Sequence, residues 1–555
     1  MRALLVGLAL AALGAASCNR ACAATFRVGD TSTDSCDFDT IQQAIDAAAA
    51  SGGQNYIHLA NSGSYNSQAL SIGDQSLLIE GGYARCDAAQ PTAQTDITGD
   101  ATNPVLRIQP SGSAAYNVSL LRLRMSGGGT SGVFGTLGGG IYVSGNVKLY
   151  IAATRIDGNV SLDGGGIFVD TIGGTPSVQL DPGTWISGNH ASYFGGGIAL
   201  NGGGNLYLSA DDVHIDGNYA DDAGGGIFAT NGYVFVGNPD NFSTRTDAGG
   251  ASVSSNVASQ VGGGLYLYGP LASLQASELI VDGNSASIRG GGIAAEGAAS
   301  VAMQRDYGAL LPWQCPLWRE CSRLSNNTVG GGAPGTLGGA ISLGAGARAD
   351  IAQTIIRGNL AQDGSAAYVD GATLSLEGVL VTANRSVRTP TQAGTALRTR
   401  FLNPTQAKVT IAYSTFAGNI EHADTDLPAI DIVAQQNTQL AVYSSAFFDA
   451  VYAITAYSNY VDDCVVSSGV GSGYGSHTRL LQSATGNFNN PGTADYRLRN
   501  SSPANDYCDA SAYTARFRDL TLTPRCHDDP RKPDEFGSCD VGAYESDHIF
   551  GDGLQ

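Results

Sequence analysis

The stretch Asn189-His190-Ala191-Ser192-Tyr193-Phe194-Gly195-Gly196-Gly197-Ile198-Ala199-Leu200 returns as Asn218-Tyr219-Ala220-Asp221-Asp222-Ala223-Gly224-Gly225-Gly226-Ile227-Phe228-Ala229. The same triple glycine stands at 138–140, 164–166, 262–264 and 290–292, and a shortened Gly338-Gly339 follows. Each opens a strand-like apolar run, such as Ile141-Tyr142-Val143, Ile167-Phe168-Val169 and Leu265-Tyr266-Leu267. An Asn precedes most of them. Asn159, Asn189, Asn218, Asn256 and Asn284 are spaced by 30, 29, 38 and 28 residues, and Asn359, Asn384 and Asn419 extend the series. A period of this size marks a solenoid, with one supersecondary unit per repeat. Strand residues at each repeat and turn residues between them predict an all-β chain. The expected architecture is a single-stranded, right-handed parallel β-helix with a short N-terminal capping helix.

Residue chemistry accounts for the pattern. Strands of successive coils stack about 4.8 Å apart. Corners between sheets need residues that tolerate positive φ, which favours Gly and Asn. Buried Asn side chains stacked coil upon coil can bond one another and the corner backbone. Asn159, Asn189, Asn218, Asn256, Asn284 and Asn359 are therefore expected to be structural. Two residues before these corners stand Asp157, Ser187, Asp216, Ser254, Asp282 and then Arg357. In register they form one column, with carboxylates two coils apart, about 9–10 Å. That spacing avoids like charges on adjacent strands.

The chain has 555 residues, 76 Gly and a formal net charge of −20. Its three lysines are Lys148, Lys408 and Lys532. Such acidity repels phosphate backbones and argues against a nucleic-acid partner. Arg2 and the short apolar run Leu4–Leu13 predict an export signal over 1–24, with Ala21-Cys22-Ala23 as cleavage site. Alternatively Cys18, after Ala15-Ala16-Ser17, is the lipidated first residue of a lipoprotein. No later apolar stretch reaches the roughly 18 residues of a membrane span. The expected location is extracellular or on the outer cell surface. The eight remaining cysteines suit disulfides in an oxidising compartment. The expected pairs are Cys36 with Cys86 and Cys315 with Cys321. Cys464, Cys508, Cys526 and Cys539 would then pair among themselves.

Residues 25–110 are expected to form an N-terminal cap and the first coils. Thr40 is the N-cap of a helix, with Gln43 at the capping-box position and Ile41, Ala44, Ile45 and Ala48 on one face. His58 alternates with Ile57 and Leu59 as a strand residue. The β-helix spans 111–484, interrupted by an insertion at 301–327. The insertion holds Tyr307, Trp313, Trp318 and Arg319 as candidate binding residues, since insertions in solenoids often carry contacts. Residues 485–545 form a Cys-, Pro- and Asp-rich C-terminal cap, followed by a tail at 546–555.

The Gly-Gly-Gly-Ile repeats with their Asn, as in Asn159 and Gly164-Gly165-Gly166-Ile167, resemble those of polymorphic outer-membrane and pectin-lyase-like β-helix proteins. The segments Ser501-Ser502-Pro503-Ala504-Asn505-Asp506 and Asp540-Val541-Gly542-Ala543-Tyr544-Glu545 are similar to the choice-of-anchor Q domain of bacterial surface proteins. The first resemblance implies the fold and leaves the function open. Of the Asn-Thr-Asp, Asp-Asp, Gly-His-Gly and Arg-Ile-Lys motifs of β-helical polygalacturonases, Asn-Thr-Asp, Gly-His-Gly and Arg-Ile-Lys are absent, and Asp528-Asp529 lies in the terminal cap region rather than in the coil stack. His190 and His214 fall near corners, with no nucleophile evident beside them. The expected function is a non-catalytic secreted or surface scaffold that binds a surface glycan or another protein, without cofactor or metal. The alternative is a polysaccharide lyase or glycoside hydrolase with an unrecognised site.

Overall fold

The computed structural model describes residues 23–545, apart from 131–134, 210–211, 238–250, 305–321, 334, 345, 388–393, 401–405, 423–426, 429, 449–452, 458, 469–474, 476, 482–483, 509–512, 515–517, 522 and 527–533. One coil contributes a strand to each of four sheets. Following a single turn, Ile198–Asn201 lies in sheet I, Asn205–Leu208 in sheet II, Val213–Asp216 in sheet III and Tyr219–Ala220 in sheet IV. Among the described residues the four sheets contain 13, 15, 14 and 10 strands respectively. Coils pair in parallel and in register: Ile198 with Ile227, Leu206 with Val234, Trp185 with His214, His190 with Tyr219. The chain is a parallel β-helix.

Strand alternation sends every second side chain inward. The column Ile141, Ile167, Ile198, Ile227, Leu265, Ile293 and Ile341 is fully buried at the same place in successive coils. One continuous apolar core runs from Val28 to Val465.

The three glycines of each repeat answer different demands. Gly195 has φ +66°, and a Cβ there would lie 2.3 Å from the Ile198 carbonyl oxygen. At Gly196 a Cβ would meet the carbonyls of Tyr219 and Gly225 at 2.4 and 2.6 Å. At Gly197 it would meet the Gly226 carbonyl at 2.6 Å. The first glycine therefore serves backbone conformation. The other two serve the close approach of the next coil.

The Asn residues form the expected ladder, but they do not supply the positive φ. The residue before each does so: Gly158, Gly188, Gly217, Ser255, Gly283, Asn326, Gly358, Ala383 and Gly418. In the ladder itself, Asn189 Nδ2 donates to Ile156 O of the preceding coil and to Asn218 Oδ1 of the next, both at 3.0 Å. Asn218 Oδ1 also accepts the Asn189 backbone N–H. Each interior amide thus uses both donors and both lone pairs. Asn327, which the spacing did not single out, fills the rung between Asn284 and Asn359.

The N-terminal end is closed by helix α1, Ile41–Ser51, with Thr40 Oγ1 accepting the Gln43 amide and Ile41, Ala44, Ile45 and Ala48 buried. Cys36–Cys86 fastens this cap. The C-terminal region is a lateral clamp on the last coils. From Ile355 onward the outward column of sheet III runs Ile355, Leu380, Thr415, Ala446. Leu380 and Ala446 pack there with Phe488, Tyr496, Leu520, Val541 and Ala543. Arg525 donates to the carbonyls of Gly542, Ala543 and Tyr413, and its guanidinium lies 4.6 Å over the Tyr413 ring. The segments 501–506 and 540–545 meet, with Asp540 Oδ1 accepting the Asp506 amide and the Val541 amide donating to Ala504 O. Cys464–Cys508 ties the clamp to the last coils, and Cys526–Cys539 closes within it.

The break in the repeat is narrower than 301–327. Ser300–Met303 is a sheet II strand and Arg323–Ser325 a sheet III strand, both in register with their neighbours. Tyr307, Trp313, Trp318, Arg319, Cys315 and Cys321 lie outside the described residues.

Candidate ligand-binding face

Outward positions of sheets III and IV form columns along the solenoid. On sheet III one column runs Arg124, Arg155, Trp185, His214, Ser252, Ile280, Arg323. Beside it run Ser126, Asp157, Ser187, Asp216, Ser254, Asp282, Ser325. Ser325 completes a strict alternation of Ser and Asp, because the rung at Asn327 restores the register. Sheet IV adds Val160, His190, Tyr219, Val257 and Ser285.

Hydroxyls and guanidinium groups of adjacent coils satisfy the carboxylates of the alternating column. Ser254 Oγ donates to Asp216 at 3.3 Å and Ser325 Oγ to Asp282 at 2.5 Å. Arg124 binds Asp157 through two bonds of 3.0 and 2.9 Å. Ser254, between Asp216 and Asp282, replaces a like-charge contact by a hydrogen bond. Ser187, between Asp157 and Asp216, separates the two carboxylates without bonding either.

Rings stand beside this column. Trp185 stacks on His214 with centroids 3.9 Å apart. His190 and Tyr219 lie 5.1 Å apart, and the Tyr219 hydroxyl is 2.8 Å from Ser259 Oγ. Trp185 is 37% exposed, Tyr219 38% and Tyr193 44%, so these rings leave large surfaces to solvent. Val257 and Ile288 are exposed on the same flank. His190 Nε2 contacts Asp221 at 3.2 Å. Burial pushes the Asp222 carboxyl above its ordinary value.

His214 has polar partners on both sides. Its Nδ1 is 2.8 Å from Ser252 Oγ and its Nε2 3.1 Å from Asp212 Oδ1. Carboxylate, imidazole and hydroxyl in that order are the roles of a nucleophilic relay. Ser252 is 38 residues from His214 in sequence, so only the coil register brings them together. The expectation of no nucleophile near the histidines is corrected here. Acyl chemistry also needs free N–H donors aimed at the developing oxyanion. Ser252 sits in a flat strand paired on both sides, which commits its neighbouring amides to the ladder.

The six predicted Asn residues are buried in the ladder and face no ligand. His58 stacks on Tyr83 at 4.5 Å, a packing contact. Among the described residues two groupings have metal-ligand composition: Asp463 with Cys464, His477 and Cys508, and Asp34 with Cys36 and Cys86. Their cysteines are joined in disulfides and offer no thiolate to a metal.

The open face ends where the clamp begins. The same sheet III surface that is exposed at Trp185 is covered at Leu380 and Ala446. The chain is thus a disulfide-braced parallel β-helix with one flank partly clamped and partly open, the open part bearing rings and carboxylates. No family model matches it, and no curated protein is similar to it in sequence.

Proposed function

We propose that this protein is an exported, non-catalytic β-helix scaffold that binds carbohydrate through the open face of sheets III and IV. The exposed Trp185–His214 stack of sheet III, with Tyr219 exposed on the adjoining sheet IV, is the observation that carries this reading. Flat rings bury the apolar face of a pyranose, and neighbouring oxygens bond its hydroxyls. Three disulfides suit an oxidising compartment. The resemblance to pectin-lyase-like repeats and to the choice-of-anchor Q segments favours a place on a bacterial surface. No helix among the described residues is long and apolar enough to cross a membrane. A glycan array, followed by reducing-sugar and unsaturated-product assays on the bound glycans, tests the proposal. Binding without product release is expected, and Trp185→Ala should remove the binding. Product release from any bound glycan would refute the non-catalytic reading.

The Asp212–His214–Ser252 relay favours a second reading, hydrolysis of an ester on the same face. A serine-reactive fluorophosphonate that labels the wild type and spares Ser252→Ala would establish it.

A further inference from the structure

The charge around the open face narrows its ligand. Residues 156–244 contain ten Asp, no Glu, and neither Lys nor Arg. Several of these acids reach the face: Asp216 in the sheet III column, and Asp212 and Asp221 beside the two histidines. Cations stand at both ends of the sheet III column, Arg155 on one side and Arg323 on the other. Between them lie the coils of Trp185, His214, Ser252 and Ile280, a strip roughly 14–15 Å from first strand to last at one strand spacing per coil. A surface lined by one sign of charge focuses its field outward and raises the local concentration of the opposite charge. Aromatic faces add cation–π attraction to the same charge. A polyuronate is repelled by such a strip, whereas a cationic ligand is drawn to it.

The geometry also selects the form of the cation. A single metal ion needs converging carboxylates, but the alternating Ser residues hold Asp157, Asp216 and Asp282 each about 9–10 Å from the next. A protein partner needs about 800 Å² on each side, more than a strip of four short strands presents. An extended β-linked pyranose chain rises by close to one strand spacing per sugar. Laid along the solenoid axis, it would set one sugar on each coil and bring every second sugar to a carboxylate of the Ser/Asp column. Resting on the carbohydrate-binding reading above, we propose that the open face binds a linear β-linked glycan of amino sugars carrying free, protonated amines.

The test uses the full chain and isothermal titration calorimetry at mildly acidic pH. The probes are β-1,4-linked glucosamine oligomers of increasing length, their fully N-acetylated counterparts and oligogalacturonates. Glucosamine oligomers should bind, with affinity rising until the chain spans the four coils and then levelling off. High salt should weaken this binding. Asp216→Asn with Asp221→Asn should weaken it about tenfold, the loss expected from two charge contacts of several tenths of a kcal/mol each. The circular dichroism and melting temperature of that variant should match the wild type, separating lost binding from lost folding. N-acetylated oligomers binding as tightly as glucosamine oligomers, or the double variant binding unchanged, would overturn the inference and leave the carbohydrate-binding reading standing. Failure of all these oligomers together with silence on the glycan array would overturn both.

Discussion

Asn218 shows what a single rung contributes. Its amide donates to Ile186 O and Asn256 Oδ1, and its oxygen accepts from Asn189 twice. Asn218→Ala leaves several of these buried groups without partners, each costing about 1–3 kcal/mol. A loss of about 3 kcal/mol or more is expected, read as a lower midpoint in urea denaturation. An unchanged midpoint would show that the ladder does not hold the coils. Asp163 illustrates the opposite balance. Burial raises its carboxyl pKa, although it accepts the Phe194 amide. A raised carboxylate contributes stability below its unfolded pKa, near 3.9, and loses that contribution as pH rises through the folded value. Asp163→Asn keeps an acceptor for Phe194 and removes the charge. Its melting temperature should exceed that of the wild type at neutral pH, with the gap closing as the pH falls toward 4. A gap independent of pH would contradict the burial of a charge at this position.

At the scale of elements, the alternating column of sheet III sets a limit on charge. Replacing Ser187 and Ser254 by Asp together puts carboxylates on consecutive strands from Asp157 to Asp282. Neighbouring like charges repel, and the Ser254–Asp216 hydrogen bond is lost. The double variant should melt below the wild type in low salt, with part of the loss recovered in high salt as screening shortens the Debye length. An unchanged melt would sink the stacking argument. The triple glycines act at the same scale. Only the first needs its backbone conformation, while the next two are held small by the adjacent coil. The repeat is therefore a property of coil pairs.

For the whole molecule, the clamp at 484–545 changes what the solenoid exposes. It covers apolar side chains of sheet III that would otherwise form an exposed patch around Leu380, Ala446 and Phe448. A chain ending at Leu481, with Cys464→Ser to remove the orphaned thiol, should bind a hydrophobic dye and self-associate. A monodisperse truncated chain with the wild-type melting temperature would show that the clamp does not contribute to stability. The clamp also confines the open face to the coils before it.

The sequence by itself determined the β-helix, the helical N-cap at Thr40 and the buried Asn ladder. Period, cap chemistry and side-chain size are local quantities, and each is legible along the chain. It also ordered the Ser and Asp residues of one column, though the rung at Asn327 was hidden by the 43-residue step from Asn284. Tertiary structure decided the rest. Trp185, His214 and Ser252 are distant in sequence and adjacent only because three coils stack in register. The C-terminal segment became a lateral clamp because its apolar residues match the outward column of sheet III. Outward side chains take partners from neighbouring coils as well as from their own, so what they form depends on coil register and on what leaves them uncovered.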